Sequence, residues 1–519
     1  MVSRRAVVFG PIIASAFASF GWAKDVRILQ TGLASDIKGL TPGITSDLYT
    51  GAVLQHIYEG LVAWKADGTV APMLAEKIDV SDDGLTYTFT LRDGVKFHNG
   101  APLTSAEVVW TWKYFLDPAH AWTGRVNFSG DQVIKIVSVT APDAKTVVFK
   151  LDKPQAAFLS MIARADLDSC GIAHPDCVDA NGAWSKAIGT GPFVLKEWRK
   201  GQSIELARFA DYSPRSEASD GLVGKKQPLV DGVLFNFLPD EASGKLALQS
   251  KNLDVWSNFS PNYAKELKSA SDITLESKEV AAIAALLIQN SDPLLKDLRM
   301  RQAIAASIDY DTLTASLSAG FGTPNTSLVP TSSHYYRDVQ KQGHKLDLDK
   351  ARSLLAKAGY KGQPVKIKTI SSVQTQLDAG VLLQGMLTAA GINAAVDVVD
   401  LANLVQAQTS GNYQMMITFS TPYLDPIFFF DRYIGDKAVS KDKVWATQKA
   451  RDLLAALYAA GDDASRQKAF DDLHREMIAD VPLVVWMNRI SFGAWHSDVK
   501  GYEPWAGDKP RFWNVAFTA

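Results

Sequence analysis

Residues Ile57–Trp112 read IYEGLVAWKADGTVAPMLAEKIDVSDDGLTYTFTLRDGVKFHNGAPLTSAEVVWTW, and the pattern of this stretch decides the fold. Thr86-Tyr87-Thr88-Phe89-Thr90-Leu91 alternates polar and apolar side chains and is rich in β-branched and aromatic residues, the period of a half-buried strand. Asp82-Asp83-Gly84 before it and Arg92-Asp93-Gly94 after it are residue types that tolerate tight reversals, so the segment is hairpin-rich. Beyond it, Thr104 or Ser105 with Glu107 predicts a helix start leading into Val108-Val109-Trp110, because a short polar side chain accepts a bond from an orphan amide of the first turn.

The same stretch resembles the opening signature of the peptide/nickel class (family 5) of extracellular solute-binding proteins that feed ABC importers. The resemblance continues in Pro154-Gln155-Ala156-Ala157-Phe158-Leu159, Ile188-Gly189-Thr190-Gly191-Pro192-Phe193, Met300-Arg301-Gln302-Ala303-Ile304 and the ending Pro510-Arg511-Phe512-Trp513-Asn514-Val515. It implies an α/β, two-lobed periplasmic binding protein fold of the large cluster C type, with a hinge and an extra subdomain on lobe I. The implied division is a signal peptide at 1–23, lobe I at 24–260 with the subdomain at about 62–185, lobe II at 261–484, and a return of 485–519 to lobe I. Crossovers between lobes are expected at Ser250–Pro261 and Pro482–Asn488.

Outside that stretch the residues speak independently. At 519 residues the chain exceeds what a single core supports, so two or more lobes are expected. A hydrophobic share of 47% with 21% charged residues excludes a disordered chain. A net charge of -2 and the absence of a long Lys/Arg run give no case for nucleic acid as a partner. Leu294–Leu313 carries three- and four-residue apolar spacing and predicts an amphipathic helix. Asp347–Tyr360 predicts a capped helix ending at Gly359, Pro364–Ile370 a strand, Leu382–Ala390 a helix, and Ala469–Ile478 a last helix before a strand at Pro482. Alternation of strand and helix favours an α/β lobe.

Arg4-Arg5, the apolar run Ala6–Phe20 and Gly21-Trp22-Ala23 form an export signal with a small-x-small cleavage pattern before Lys24. The run is too short and too rich in Ala and Ser for a membrane span, which takes about 20 apolar residues. Export by the general secretory route to the periplasm is expected; Ser3-Arg4-Arg5 matches a twin-arginine signal only in part.

Chemistry-bearing clusters are sparse. Cys170 and Cys177, in SCGIAHPDC, read as a disulfide pinning a surface loop of an exported protein; with His174 between them they do not reproduce zinc spacing. The other histidines are scattered without ligand spacing, and G-x-S-x-G, H-E-x-x-H and Rossmann fingerprints are absent from the sequence. Gly189-Thr190-Gly191-Pro192 lacks the phosphate-loop pattern and reads as backbone geometry, glycines permitting a reversal that Pro192 fixes. No catalytic residue, metal or cofactor is assigned.

Ligand-binding candidates come from positions where the resembled family lines its cleft: Tyr49, Trp122, Arg125, Trp256, Tyr423, Asp425, Arg432, Trp486 and Asn488. Aromatic faces bury large area at small entropic cost. Peptide-binding relatives carry an acid three positions before an Asp-Pro step; here the step is Asp425-Pro426 and the position holds Pro422. The ligand expected first is a short peptide or peptide-like molecule, with opine, glycoside or nickel-chelate ligands as the alternative and a secreted hydrolase as the competing class. ABC permeases and ATPases are the expected partners, and the chain is expected to act as a monomer.

Overall fold

The computed structural model describes residues 26–45, 47–130, 134–164 and 170–518; the expected export signal lies outside them. One mixed ten-stranded sheet runs through the molecule. Its spatial order is Ala394–Val399, Val365–Ile370, Met415–Phe419, Ile273–Ile288, Leu483–His496, Val255–Ser257, Ile28–Leu33, Gly232–Phe237, Ser203–Arg208 and Phe193–Arg199. The two long central strands are antiparallel and belong to both lobes: Thr274 faces Trp495 at one end and Leu286 faces Val484 at the other.

Between these ends the register shifts, from Glu279 opposite Ile490 to Ile283 opposite Asn488. Val280, Ala281 and Ala282 form a bulge there, which bends and twists the strand. The bulge is the outgoing passage between lobes. Within the stretch Ser250–Pro261, where a crossover is expected, Val255–Ser257 is a strand paired with Thr31 on one side and with Gly493–Trp495 on the other.

In the second lobe Val365–Ile370 and Ala394–Val399 pair in parallel through the helix Gln374–Ala389, which buries Ala379, Leu383 and Leu387 against the sheet. The helix read at Leu294–Leu313 is two helices, Leu298–Ala306 and Tyr310–Leu317. Asp309 breaks it, because its carboxylate accepts from Thr312 N–H as the cap of the second helix. Asp347 caps Leu348–Lys357, and Gly359 follows at φ 70°.

A four-stranded antiparallel sheet, Ala75–Val80, Thr86–Leu91, Thr146–Leu151 and Ile136–Asp143, stands on the first lobe. Tyr87, Phe89 and Leu91 point inward as the alternation requires. The helix Ser105–Leu116 covers them with Val108, Trp112 and Phe115, and its start is a capping box: Thr104 accepts from the helix while Glu107 reaches back to Thr104 N–H at 2.9 Å.

Gly189 and Gly191 serve close approach, not reversal. A Cβ on either would overlap a backbone carbonyl oxygen, that of Ile57 at Gly189 and that of His56 at Gly191. The strip is laced to its neighbour by Gly191 N–H to Ile57 O at 2.9 Å and Phe193 N–H to His56 O at 3.1 Å. Among the described residues, no helix is long and apolar enough to cross a membrane.

Candidate functional site

Two adjoining chambers lie where the lobes meet. One, of about 40 Å³, is walled by the helix Leu48–Leu54, Gly60, Ala163, Arg164, Leu222 and Lys226. The other, of about 20 Å³, is walled by Trp64 and Leu222 of the first lobe, by Pro422, Tyr423, Leu424 and Phe428 of the second, and by Trp505 and Lys509 of the C-terminal segment. Gln55, Arg164 and Leu222 line both chambers, so they form one site.

Each of these side chains is set by local chemistry. Asp47 caps the helix Leu48–Leu54, and Gln55 ends it. Gln55 Nε2 donates to the Pro510 carbonyl at 2.7 Å, while its Oε1 is buried with no hydrogen-bond partner. A buried acceptor of this kind costs about 1–3 kcal/mol unless a donor reaches it. Arg164 follows the helix Phe158–Ile162 and is only 8% exposed. Its guanidinium lies over the Phe428 ring at 4.9 Å and near the Tyr423 ring at 5.9 Å, a cation–π bridge from one lobe to the other.

Behind Gln55, Glu59 and Lys226 form a buried pair at 3.4 Å. Tyr212 and Thr190 hydroxyls donate to the same carboxylate at 2.9 and 3.1 Å, and the Lys226 ammonium lies 4.9 Å over the Trp513 ring. Burial pulls the Lys226 pKa down, and Glu59 opposes the shift. Lys509 lies across Gly51, whose missing Cβ would sit 2.7 Å from Lys509 Cε.

Of the sequence candidates, Tyr423 lines the site. Its N–H donates to Ala281 O in the hinge bulge at 2.6 Å, so the cleft wall is tied directly to the passage between lobes. Tyr49 lies on the helix Leu48–Leu54, half-buried against the first-lobe core; burial, then Asp47 and Asp508, raise its pKa. Asn488 is a hinge residue, buried between Asn325, Thr331 and the bulge.

The remaining candidates do not line either chamber and have partners elsewhere in the fold. Trp122 stacks on Phe115 at 4.5 Å in the subdomain core and donates to Pro42 O. Arg125 Nε donates to Leu116 O. Trp256 stacks on Phe259 at 4.2 Å, and Trp486 is fully buried in the second-lobe core. Asp425 is held by Arg466 at 2.8 Å, and Arg432 by Asp442 at 2.6 Å. Cys170 and Cys177 are not bonded to each other. They belong to different cores, Cys177 Sγ lying 3.3 Å from Ile188 N and Cys170 facing Met161 O as part of the chamber wall. Burial pushes the Cys177 thiol up to about 11.

Sequence reading missed Gln55, Arg164, Leu222, Phe428, Trp505 and Lys509. Arg164 carried one signal, a charge directly after the apolar run AAFLSMIA. Among the described residues, no group of three or more His, Cys, Asp and Glu side chains is placed to hold a metal ion.

Comparison with known proteins agrees with this architecture. The family of bacterial extracellular solute-binding proteins, family 5 Middle, matches residues 69–441. The dipeptide-binding protein of Escherichia coli (strain K12) is 26% identical over 511 residues, covering 92% of this chain and 93% of its own. The periplasmic binding protein AgaA of A. tumefaciens R10, solved in complex with agropinic acid, is similar with a TM-score of 0.76 and 25% identity over 95% of this chain and 99% of its own. The ABC transporter substrate-binding protein CtaP of Listeria monocytogenes shares the fold with a TM-score of 0.82 at 23% identity, covering 96% of this chain and 100% of its own.

Proposed function

The chain belongs to the bacterial extracellular solute-binding proteins of family 5, and on that premise we propose that it is the periplasmic receptor of an ABC importer, enclosing a short peptide or peptide-like solute and passing it unchanged to membrane permeases. The observation that carries this reading is the shared wall: Gln55 and Arg164 from one lobe face Tyr423 and Phe428 from the other around a single site. Gln55 Oε1, which has no donor within the protein, is free to accept from a ligand N–H. The Tyr423 and Phe428 rings offer flat apolar faces. The chambers are smaller than the several hundred Å³ usual for ligand sites, so the lobes part, admit solute and close again about the hinge bulge.

An opine-like ligand is the second reading. It is favoured by Pro422 standing where peptide binders carry an acid, by the commitment of Asp425 to Arg466, and by likeness to a protein solved with agropinic acid. In both readings the protein acts as a monomer without turnover, exported by its N-terminal signal.

Thermal-shift and calorimetric titration with dipeptides, tripeptides and opines tests the proposal, with X-ray scattering on the same samples. Saturable binding by one class, with a smaller radius of gyration at saturation, is expected; at 100 times Kd the stabilisation is about 2.7 kcal/mol. Cleavage of the bound solute, or a radius that never changes while sites fill, overturns the receptor reading.

A further inference from the structure

Trp505 lines two spaces at once. On one side is the apolar chamber of the cleft; on the other is a cavity of about 300 Å³ between Gly221, Lys278, Glu503, Arg511 and Trp513. The chain Gly221-Leu222 straddles the same boundary, Gly221 on the outer cavity and Leu222 on the cleft. Only the outer cavity has the volume of an ordinary small-molecule site. The Trp505 side chain, beside the Gly221-Leu222 backbone, stands at the boundary between the two.

The indole is fixed as a partition. Its N–H donates to the Lys509 carbonyl at 2.7 Å, and the Arg511 guanidinium lies 4.7 Å over the ring. Gly507 lies so close to the ring that a Cβ there would overlap it. Arg511 is itself anchored, donating to Gly221 O at 2.8 Å and pairing with Glu503 at 3.0 Å. The neighbouring Ala506 carbonyl accepts from Ala281 N–H at 2.8 Å, so the partition is attached to the hinge bulge and keeps its place relative to the passage between lobes.

We propose that Trp505 is a specificity-determining residue that sets the maximum length of the bound solute, closing the cleft against a cavity otherwise able to take the far end of a longer ligand. This rests on the receptor reading of the cleft but not on which solute class fills it. The cavity carries both charge signs, Lys278 and Arg511 against Asp220 and Glu503, so the extension it offers suits a polar or zwitterionic end.

The test is native mass spectrometry of the full exported chain after incubation with alanine di-, tri-, tetra- and pentapeptides together with a low-mass bacterial extract. Wild type, Trp505→Ala, Trp505→Phe and the double variant Trp505→Ala with Ser219→Trp are compared, Ser219 also lining the outer cavity. Expected is a severalfold rise in the ratio of longer to shorter bound species for Trp505→Ala, little change for Trp505→Phe, and return to the wild-type ratio in the double variant, where the indole introduced by Ser219→Trp refills the cavity. The same size range in wild type and in Trp505→Ala, with a cooperative melting curve of Trp505→Ala itself showing a folded protein, overturns the proposal. Retention of larger non-peptide species by Trp505→Ala supports the partition and removes peptides as the solute class. Retention of nothing by any of the proteins overturns both the partition and the receptor reading.

Discussion

Asn488 Nδ2 donates to the Ala282 carbonyl oxygen at 3.1 Å, clipping one crossing strand to the bulge of the other. The same amide reaches Val280 O at 3.3 Å, while its Oδ1 accepts from Asn325 Nδ2 and Thr331 N–H at 3.0 and 3.1 Å. A bulge breaks the ladder that would otherwise satisfy its backbone groups. Here one buried side chain, together with Tyr423 N–H and Ala506 O, replaces what the ladder lost.

Replacing Asn488 by Ala leaves Val280 O, Ala282 O and Thr331 N–H short of partners in a buried site. Urea unfolding is expected to register a loss of about 2–3 kcal/mol. X-ray scattering of the folded variant is expected to give a larger radius than wild type, because the bulge is no longer held in one bend. An unchanged radius together with unchanged stability would show the clip to be idle.

Asp425 is nearly buried, and both its oxygens lie within 3.0 Å of Arg466 Nη2, while Oδ1 also accepts from Ile427 N–H. Arg466→Met strands a carboxylate away from water and is expected to cost about 3–5 kcal/mol. Removing both charges together, Arg466→Met with Asp425→Leu, recovers most of that loss. In the double variant, ligand affinity stays within about twofold of wild type, a change under about 0.5 kcal/mol. A large loss of affinity would return Asp425 to the ligand site.

These two residues also show where sequence reading stops. Thr86–Leu91, the Thr104 box and the Asp347 cap were legible because period and capping are local: neighbours three or four positions away fix them. The bulge at Val280–Ala282 was not, because it exists only opposite Asn488, more than two hundred positions later. Aromatic residues gave the weakest guidance. Trp486 and Trp505 are equally apolar on paper, yet one fills the second-lobe core and the other divides two cavities. Charged candidates show the same limit, since the partners of Asp425 and Arg432 are set by tertiary packing.

Gly189→Ala and Gly191→Ala test the corrected role of the Gly-Thr-Gly-Pro strip. Neither glycine is among those at positive φ, so alanine is conformationally acceptable at both. The penalty is steric, a methyl group driven into the Ile57 or His56 carbonyl. Each is expected to lose about 1–3 kcal/mol in denaturant unfolding, the range for overpacking. Gly94→Ala is a contrasting control: it has open space around a Cβ but a φ of 74°, so any loss there is conformational.

Acid sensitivity follows from His56, which is fully buried, and His344, which is half-buried. His56 faces Ala52 O at 2.9 Å through Nδ1, and Nε2 accepts from Phe512 N–H at 3.0 Å, so the ring fits only as the neutral Nδ1–H tautomer. Burial lowers its pKa to about 3. Burial, with Lys350 nearby, lowers that of His344 to about 4. In the unfolded chain both protonate near 6.5. Above about pH 6.5 neither state binds the extra protons, so stability is flat with respect to these groups. Below it the unfolded chain takes up protons that the folded chain refuses, and stability falls as pH drops toward the folded values. The expected slope between about pH 6 and 5 approaches 1.4 kcal/mol per pH unit for each histidine. His56→Gln, whose amide can both donate to Ala52 O and accept from Phe512 N–H, is expected to remove one histidine's share of that slope in denaturant titrations at successive pH values. Parallel slopes for the variant and wild type would mean that His56 is protonated in the folded protein, against the geometry around Nε2.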